Sequence, residues 1–207
     1  KIAWRNLWRN KRRSIIILTS IVVGVAALIV SDFIMRGMAY QMLRNQIGLD
    51  VSHIQIHSRG WHNNKVLKNY MKNTGRVEEL LKKKPFIQNF SKRVISQGMI
   101  NSAATSSGVT INGVEYNREA KITRIAEDVT EGAYLSGKEQ EIVIGREMAD
   151  KLEVELGGKV VLMAAGTKGS VNSQLFRVKG IFETVSSAFE KMQVYINIED
   201  ARKLLNL

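Results

Sequence analysis

The stretch SIIILTSIVVGVAALIVSDFIM, residues 14–35, decides the fold because it is long and apolar enough to cross a membrane. Between Ile15 and Val30 it carries no charge, and its extension to Met35 adds only Asp32. A transmembrane helix needs about 20 mostly apolar residues, since lipid offers no hydrogen-bond partner to a free backbone group. The stretch therefore predicts a membrane-spanning helix.

A basic segment precedes this stretch and predicts its orientation. The first fourteen residues hold six basic residues and no acidic one. Basic residues flank the cytoplasmic end of membrane spans, so we expect a cytoplasmic N-terminus and an external domain after Met35. A buried helix of a soluble domain would need no such flank. A cleaved signal peptide is disfavoured because the apolar run is long and no small-residue cleavage site follows it.

Residues 1–13 predict a short amphipathic segment at the cytoplasmic membrane interface. Two tryptophans four residues apart alternate with arginine and asparagine, and tryptophan prefers the level of the lipid headgroups. The residues expected to contact the interface and its anionic lipids are Trp4, Trp8, Arg9, Lys11, Arg12 and Arg13.

Apolar residues continue the helical pattern beyond the predicted span. Four of them lie at i, i+3, i+4 and i+7, on one face of a helix: Met35, Met38, Ala39 and Met42. Gly48 is the first strong helix terminator. A helix over residues 14–47 would be about 51 Å long, whereas the hydrocarbon core is about 30 Å thick. We therefore predict that the helix continues as a stalk, and that these four residues couple its movement to the outer domain.

The rest of the chain predicts a mixed α/β domain, so the fold class is α+β. The predicted strands cover residues 51–57, 93–104, 109–114, 141–144, 159–164, 175–182 and 192–196. The predicted helices cover residues 74–84 and 146–152 and a last helix capped by Asn197, with Asp200 at its third position. Two turns are predicted at residues 105–108 and 166–170. The chain has no cysteine, so this domain depends on its core rather than on disulfides.

No motif for catalysis or for metal or cofactor binding occurs. The sequence lacks HExxH, GxSxG and the phosphate-binding spacing GxxxxGK[ST], which residues 166–170 resemble only superficially. His53 and His57 would lie about 13 Å apart on a strand, too far to share one metal ion. The net charge of +12 does not indicate nucleic-acid binding, because half of the excess lies in the membrane flank. We therefore predict neither an enzyme nor a nucleic-acid-binding protein.

Several stretches together resemble the MacB/FtsX-like permeases of ABC transporters. They are AWRNLWRNKRRS (3–14), GLDVSHIQIHSRGW (48–61), EIVIGREMADKLEVELGGKVVLMA (141–164), FRVKGIFETV (176–185) and VYINIEDARKLLNL (194–207). The second of these is similar to the lipoprotein-releasing, LolC/LolE-like branch. The resemblance covers nearly the whole chain, and its specificity comes from the order of the motifs.

The resemblance implies a first transmembrane helix and a periplasmic core domain at the bacterial inner membrane. In that family the domain has a Porter-like subdomain, here residues 48–114 and 189–207, and an inserted Sabre-like subdomain, here residues 115–188. The resemblance also implies three further spans after residue 207, a second permease subunit, a periplasmic carrier or adaptor, and an ABC ATPase that carries the ATP and magnesium.

Three functions remain open from the sequence. The leading prediction is a permease subunit that couples cytoplasmic ATP hydrolysis, by mechanotransmission, to the periplasmic movement or release of a lipoprotein, peptide or amphiphilic drug. The alternative is a single-span anchored scaffold or adaptor, such as an FtsX-like regulator of cell-wall enzymes. A membrane-tethered hydrolase is third, and no catalytic motif favours it. Three further spans downstream would favour the permease, and a stop codon would favour the scaffold.

Overall fold

The computed structural model describes residues 11–46, 54–61, 70–167 and 169–207. The chain divides into two compact units, one of residues 1–47 and one of residues 48–207. The first unit contains one long helix, and the second contains a sheet with short helices. The predicted class, a long N-terminal apolar helix followed by a mixed α/β domain, is confirmed.

Helix α1 (Lys11–Gln46) is continuous over 36 residues. It begins three residues before the predicted start and runs through Gly24 and Gly37 without interruption. Within it, Lys11–Gln41 is long and apolar enough to cross a membrane. Its apolar side chains are exposed on all sides, from 50% at Val25 to 72% at Leu28. A helix that is apolar all round suits lipid rather than water.

The second unit contains seven described strands and five described short helices. The strands are β1 (Arg93–Asn101), β2 (Ser106–Val114), β3 (Val129–Gly132), β4 (Glu141–Gly145), β5 (Lys159–Ala165), β6 (Val171–Phe182) and β7 (Gln193–Asn197). The first helix is α2 (Thr74–Lys82), and the others are α3 (Tyr116–Glu119), α4 (Arg146–Leu152), α5 (Ser187–Glu190) and α6 (Ile198–Leu205).

The strands form one mixed sheet that closes on itself. Their order is β3-β6-β4-β7-β2-β1-β5, and β5 pairs in addition with β6. Six strands therefore form a hydrogen-bonded ring, and β3 adds to β6 outside that ring. The pairs β2–β7 and β4–β6 are parallel, and the remaining pairs are antiparallel. The last strand, β7, lies between β2 and β4.

The main core packs against this ring and draws on every one of its strands. Along β5, Val160, Leu162 and Ala164 are buried while the residues between them are not, as the period of two in a strand requires. Helices α4 and α6 cover the core with side chains that are 0–2% exposed, namely Met148, Ala149, Leu152, Ala201, Leu204 and Leu205. The prediction that α4 buries Met148, Ala149 and Leu152 is confirmed.

The two predicted subdomains do not separate in this sheet. Strand β7 of the predicted Porter-like part pairs with β4 of the predicted Sabre-like part, and β1 pairs with β5 across the same boundary. Residues 48–207 form a single compact unit. The assignment of residues 48–114 and 189–207 to one subdomain and 115–188 to another stays a prediction.

Two local predictions are wrong. In the described part of the predicted strand 51–57, residues 54–57 form no strand, and Ile54 is 79% exposed, because no neighbouring described strand pairs with them. Residues 51–53 of that prediction lie outside the described residues. There His57 stacks on Trp61, with ring centroids 3.8 Å apart. The turn between β1 and β2 covers residues 102–105 rather than 105–108. The hydroxyl of Ser102 holds it by accepting the backbone N–H groups of Ala104 and Thr105, both at 3.1 Å.

Asn197 precedes the first residue of α6, as predicted, but the predicted side-chain cap is absent. Asn197 instead donates its Nδ2 to the backbone carbonyl of Gly137 at 3.2 Å. Asp200 accepts the backbone N–H of Gln140 at 2.9 Å. Both side chains therefore attach α6 to the loop before β4, because that loop offers unpaired backbone groups at the right distance.

Candidate functional site

Three of the six predicted interface residues lie at the N-terminal end of α1. Lys11, Arg12 and Arg13 are exposed there, whereas Trp4, Trp8 and Arg9 lie outside the described residues. The first turn of α1 contains no acidic residue. Cations at a helix N-terminus oppose the helix dipole, so their position is not explained by helix stability. An anionic lipid surface would account for it, and this role stays a prediction.

The predicted stalk residues begin at the last residue of the apolar stretch, Met35, and continue in the same helix. Met35 and Met38 are 70% and 67% exposed, and Ala39 is exposed beside them. Met42 also belongs to α1, but its side chain lies outside the described part. Beside them on the helix, the exposed Arg36 and Asp32 form an ion pair of 2.8 Å that neutralises the acidic residue of the apolar stretch. The coupling role of the four residues stays a prediction.

One face of α1 carries a shallow apolar groove. Its small side chains are Ala26, Ala27 and Ser31, and larger aliphatic side chains flank them. Small residues let two helices approach closely in a membrane, where van der Waals packing replaces the hydrophobic effect. The groove therefore suits contact with another transmembrane helix.

A buried ion pair joins β1 to α3 in the sheet domain. The guanidinium of Arg93 donates to Glu119 at 2.5 Å, and the Glu119 side chain is fully buried. Thr123 donates its hydroxyl to the same carboxylate at 3.3 Å. Burial raises the pKa of the nearby Tyr134 phenol, which therefore stays neutral. These partners account for the burial of the Glu119 carboxylate by a structural role. The sequence did not reveal the ion pair because Arg93 and Glu119 are 26 positions apart.

A second group of charges links α2 to the start of β1. Lys92 forms ion pairs with Glu78 of α2 and, at 3.4 Å, with Glu115. Arg118 contacts Glu115 at 3.1 Å and covers the ring of Phe90, with 4.8 Å from the guanidinium carbon to the ring centroid. The hydrogen bond from Lys92 lowers the pKa of Glu78, and the same bond raises the pKa of Lys92. Since α2 has no buried residue, these charges contribute to its attachment.

The remaining buried carboxylates hold backbone turns. Glu190 accepts the backbone N–H groups of Thr184 at 2.5 Å and Glu147 at 3.4 Å, and so joins the end of β6 to the start of α4. Glu141 accepts the backbone N–H of Ser136 at 2.8 Å. These contacts satisfy the carboxylates with backbone donors, which explains their burial without any catalytic role.

The described residues contain no candidate metal site and no phosphate-binding loop. Within 11–46, 54–61, 70–167 and 169–207, no group of three His, Cys, Asp or Glu residues could hold a metal ion. The described residues of the segment 166–170, all but Lys168, form a hairpin tip, as predicted, where Gly166 donates its backbone N–H to the carbonyl of Ser170 at 2.8 Å. Because its backbone closes the turn between β5 and β6 and no helix follows, it lacks the geometry of a phosphate-binding loop.

Comparisons with known proteins agree with this architecture. The model of one family, described as the MacB-like periplasmic core domain, matches residues 14–206. The lipoprotein-releasing system transmembrane protein LolC of Xylella fastidiosa is 26% identical over 104 residues, covering 47% of this chain. The match covers 25% of that protein, so the chain spans about a quarter of the length of this curated relative.

Two solved structures also resemble the chain in part. One is the extracellular domain of the noncanonic ABC-type transporter YknZ from Gram-positive bacteria, with 17% identity and a TM-score of 0.48. The other is a domain of a permease protein from Porphyromonas gingivalis, with 16% identity and a TM-score of 0.41. Each covers 62% of this chain, which in turn covers 64% and 54% of the two solved chains.

Proposed function

The chain belongs to the family of MacB-like periplasmic core domains, and from this premise we propose that it is the N-terminal part of a permease subunit of an ABC exporter. In this proposal the chain couples ATP hydrolysis in the cytoplasm to the movement or release of a substrate on the other side of the inner membrane. The substrate classes proposed are lipoproteins, peptides and amphiphilic drugs. The name of the LolC relative supports the first of these.

The observation that carries the proposal is the length of α1. Its 36 residues correspond to about 54 Å at 1.5 Å per residue, against a hydrocarbon core of about 30 Å. A helix that extends beyond the membrane without a break can transmit movement as a stiff lever. In the proposal, the part from Met35 to Met42 is that lever.

The proposed assembly contains chains besides this one. An ABC ATPase binds ATP and magnesium in the cytoplasm, and a second permease subunit packs beside the first. The groove at Ala26, Ala27 and Ser31 supports this packing, because its small side chains admit a neighbouring helix. A periplasmic carrier or adaptor would contact the sheet domain.

The orientation can be tested with single cysteines, because the chain has none of its own. One cysteine replaces Asn10 and another replaces Ser58, on either side of α1. An impermeant maleimide applied to intact cells should label position 58 and leave position 10 unlabelled. Labelling of position 10 alone would contradict a cytoplasmic N-terminus.

The lever can be tested by changing the stiffness of α1 outside the apolar stretch. Replacing Met38, Ala39 and Met42 together by Gly should cost about 3 kcal/mol of helix stability, since each glycine costs about 1 kcal/mol. In the complete transporter we expect ATP hydrolysis to persist while export falls. The matched variant with Leu at the three positions keeps the helix and should keep export. Equal export from both variants at equal expression would contradict the lever.

A further inference from the structure

An apolar surface lies on the outer face of β1, β5 and β6. We call it the outer patch and define it as Met99, Val161, Met163 and Leu175. In the strand register Met99 lies opposite Met163, and Val161 lies opposite Leu175. Met99 is 48% exposed and Leu175 is 44% exposed, whereas Val161 and Met163 are half-buried.

The outer patch faces away from the core. On the same three strands the neighbouring residues Ile100, Leu162 and Phe176 are 0–1% exposed and point into the ring. Successive side chains in a strand point to opposite faces, so the patch residues point outward. The solvated face of a sheet is usually polar, and the fold does not require apolar side chains there.

Two cations border the outer patch. Lys159 and Arg177 lie directly opposite each other on β5 and β6, two positions along each strand from Val161 and Leu175 and therefore on the same face. Both are exposed. Like charges in directly opposed positions destabilise a sheet.

The described residues give this pair of cations no ion-pair partner. Among the described residues Lys159 and Arg177 form no ion pair, and Arg177 donates to the backbone carbonyl of Gly157 at 2.8 Å. Glu141, the residue of β4 opposite Arg177, is instead bonded to Ser136 and lies 3.5 Å from Lys179. Within the described residues, no ion pair therefore offsets the repulsion between Lys159 and Arg177.

We propose that the outer patch and the pair Lys159 and Arg177 form a docking surface for an acidic, apolar segment of another protein. The apolar side chains of that segment cover the patch, where the flexible Met99 and Met163 adapt to its shape. Its carboxylate lies between the two cations and removes their repulsion. This inference goes beyond the proposed transport function and does not depend on it.

The charges favour a protein segment over a lipid surface. Recognition of anionic lipid by charge uses clusters of four to eight basic residues. Here two cations border the patch, and the neighbouring positions on the same face are the polar Asn101 and Ser173. Asn101 also donates its Nδ2 to the sulfur of Met163 at 3.0 Å. A narrow apolar surface with one cationic end suits a single peptide segment.

The test measures binding of designed peptides to the full chain in nanodiscs of zwitterionic lipid. The probe is a short fluorescent peptide in which leucine alternates with serine and two serines are replaced by glutamate. Two matched peptides carry glutamine or lysine at those positions. By fluorescence anisotropy, the glutamate peptide should bind about tenfold more tightly than the lysine peptide.

Three variants assign this binding to the surface. Lys159→Glu together with Arg177→Glu should reverse the preference, so that the lysine peptide binds more tightly. Met99→Gln together with Leu175→Gln should weaken binding of every peptide about tenfold, because it removes the apolar contact. The control Val185→Gln changes a residue that is 79% exposed outside the patch and should leave the affinities unchanged.

Several outcomes would overturn the proposal. Equal affinity for the glutamate and lysine peptides would show that the cations do not select the ligand. Unchanged binding by the Met99 and Leu175 variant would show that the patch does not contact it. Absence of binding by all three peptides would remove the docking surface. Vesicles of anionic lipid are the last comparison. If they displace the glutamate peptide from the wild type and bind the charge-reversed variant less, the surface recognises lipid instead.

Discussion

Helix α1 and the ring of strands use the same apolar residue types in opposite environments. In α1, Ile21 is 57% exposed and Val25 is 50% exposed, whereas Ile111 and Val194 in the ring are fully buried. In α1 the apolar residues surround the helix, and in the strands they alternate with others. The difference teaches that the period of an apolar pattern, rather than its amount, indicates whether protein or lipid covers it.

The two regions therefore depend on different sources of stability. The ring removes its apolar side chains from water within the protein, so each of them contributes to the free energy of unfolding. The apolar side chains of α1 find their apolar environment in the bilayer, and the helix satisfies its own backbone groups. Substitutions of the same kind should then act differently in the two regions.

The largest expected difference comes from matched truncations. Ile111→Ala creates a cavity in the ring and should lower the free energy of unfolding of the sheet domain by about 2–5 kcal/mol. Ile21→Ala removes the same atoms from α1 and should change that quantity by less than about 0.5 kcal/mol. Urea unfolding in detergent micelles measures both. Similar losses of unfolding free energy in the two variants would contradict the idea that the two regions depend on different sources of stability.

Two glycines provide a second matched pair. At Gly113 an added Cβ would overlap the Cβ of Ala201, so Gly113→Ala should destabilise the domain by about 1–3 kcal/mol. At Gly24 nothing lies within 4 Å of an added Cβ, and alanine is the better helix former. Gly24→Ala should therefore leave the thermal unfolding of the domain unchanged. Tolerance of both substitutions would show that β2 and α6 are less closely packed than the structure indicates.

Local patterns predicted much of this molecule. The continuous α1, the position of α4 and the hairpin tip at 166–170 each follow from residues that are close in sequence. The ion pair between Arg93 and Glu119 and the bond from Asn197 to Gly137 depend on residues that are far apart. The predicted cap by Asn197 is absent for the same reason, because the side chain of Asn197 bonds to the backbone of a distant loop instead.

The predicted strand over residues 51–57 illustrates the same limit. Alternation there was typical of a half-buried strand, but a strand also needs a neighbour with free backbone groups. The ring closes through β5 and β6 without residues 54–57, the described part of that segment, where Ile54 and Ile56 are exposed. The outer patch was equally invisible from the sequence, because its four side chains come together only through the register of three strands.

A third expectation concerns the pH dependence of the stability of the sheet domain, which follows from the burial of Asp200. Burial raises the pKa of Asp200, although the N–H of Gln140 opposes this. Between the ordinary and the raised pKa, the folded domain holds a proton that the unfolded chain has released. The domain should therefore lose stability as pH rises through that interval.

Asp200→Asn should remove this part of the pH dependence, because asparagine does not titrate. The control is Asp32→Asn in α1, which should leave it unchanged. Urea unfolding repeated over a series of pH values from about 4 to 8 gives the slopes. An identical slope in the wild type and in Asp200→Asn would contradict the effect of burial.

The smallest expected effect lies on the surface of the ring. Lys159→Glu converts the like-charged pair with Arg177 into an opposite-charged pair and should stabilise the domain by about 0.2–1 kcal/mol. Lys159→Gln, which removes only the repulsion, should give a smaller increase in melting temperature. A decrease with Lys159→Glu would mean that Lys159 already has a stabilising contact.

The position of β7 has a consequence for the order in which the protein is made. Ribosomes add about 5–20 residues per second, so β2 and β4 exist before β7 does. These two strands cannot be bridged until Gln193–Asn197 has left the ribosome and reached the same compartment. Until then the ring of the newly made domain stays open, and the residues of its future core are accessible to proteases and chaperones. The arrival of one five-residue strand ends that interval.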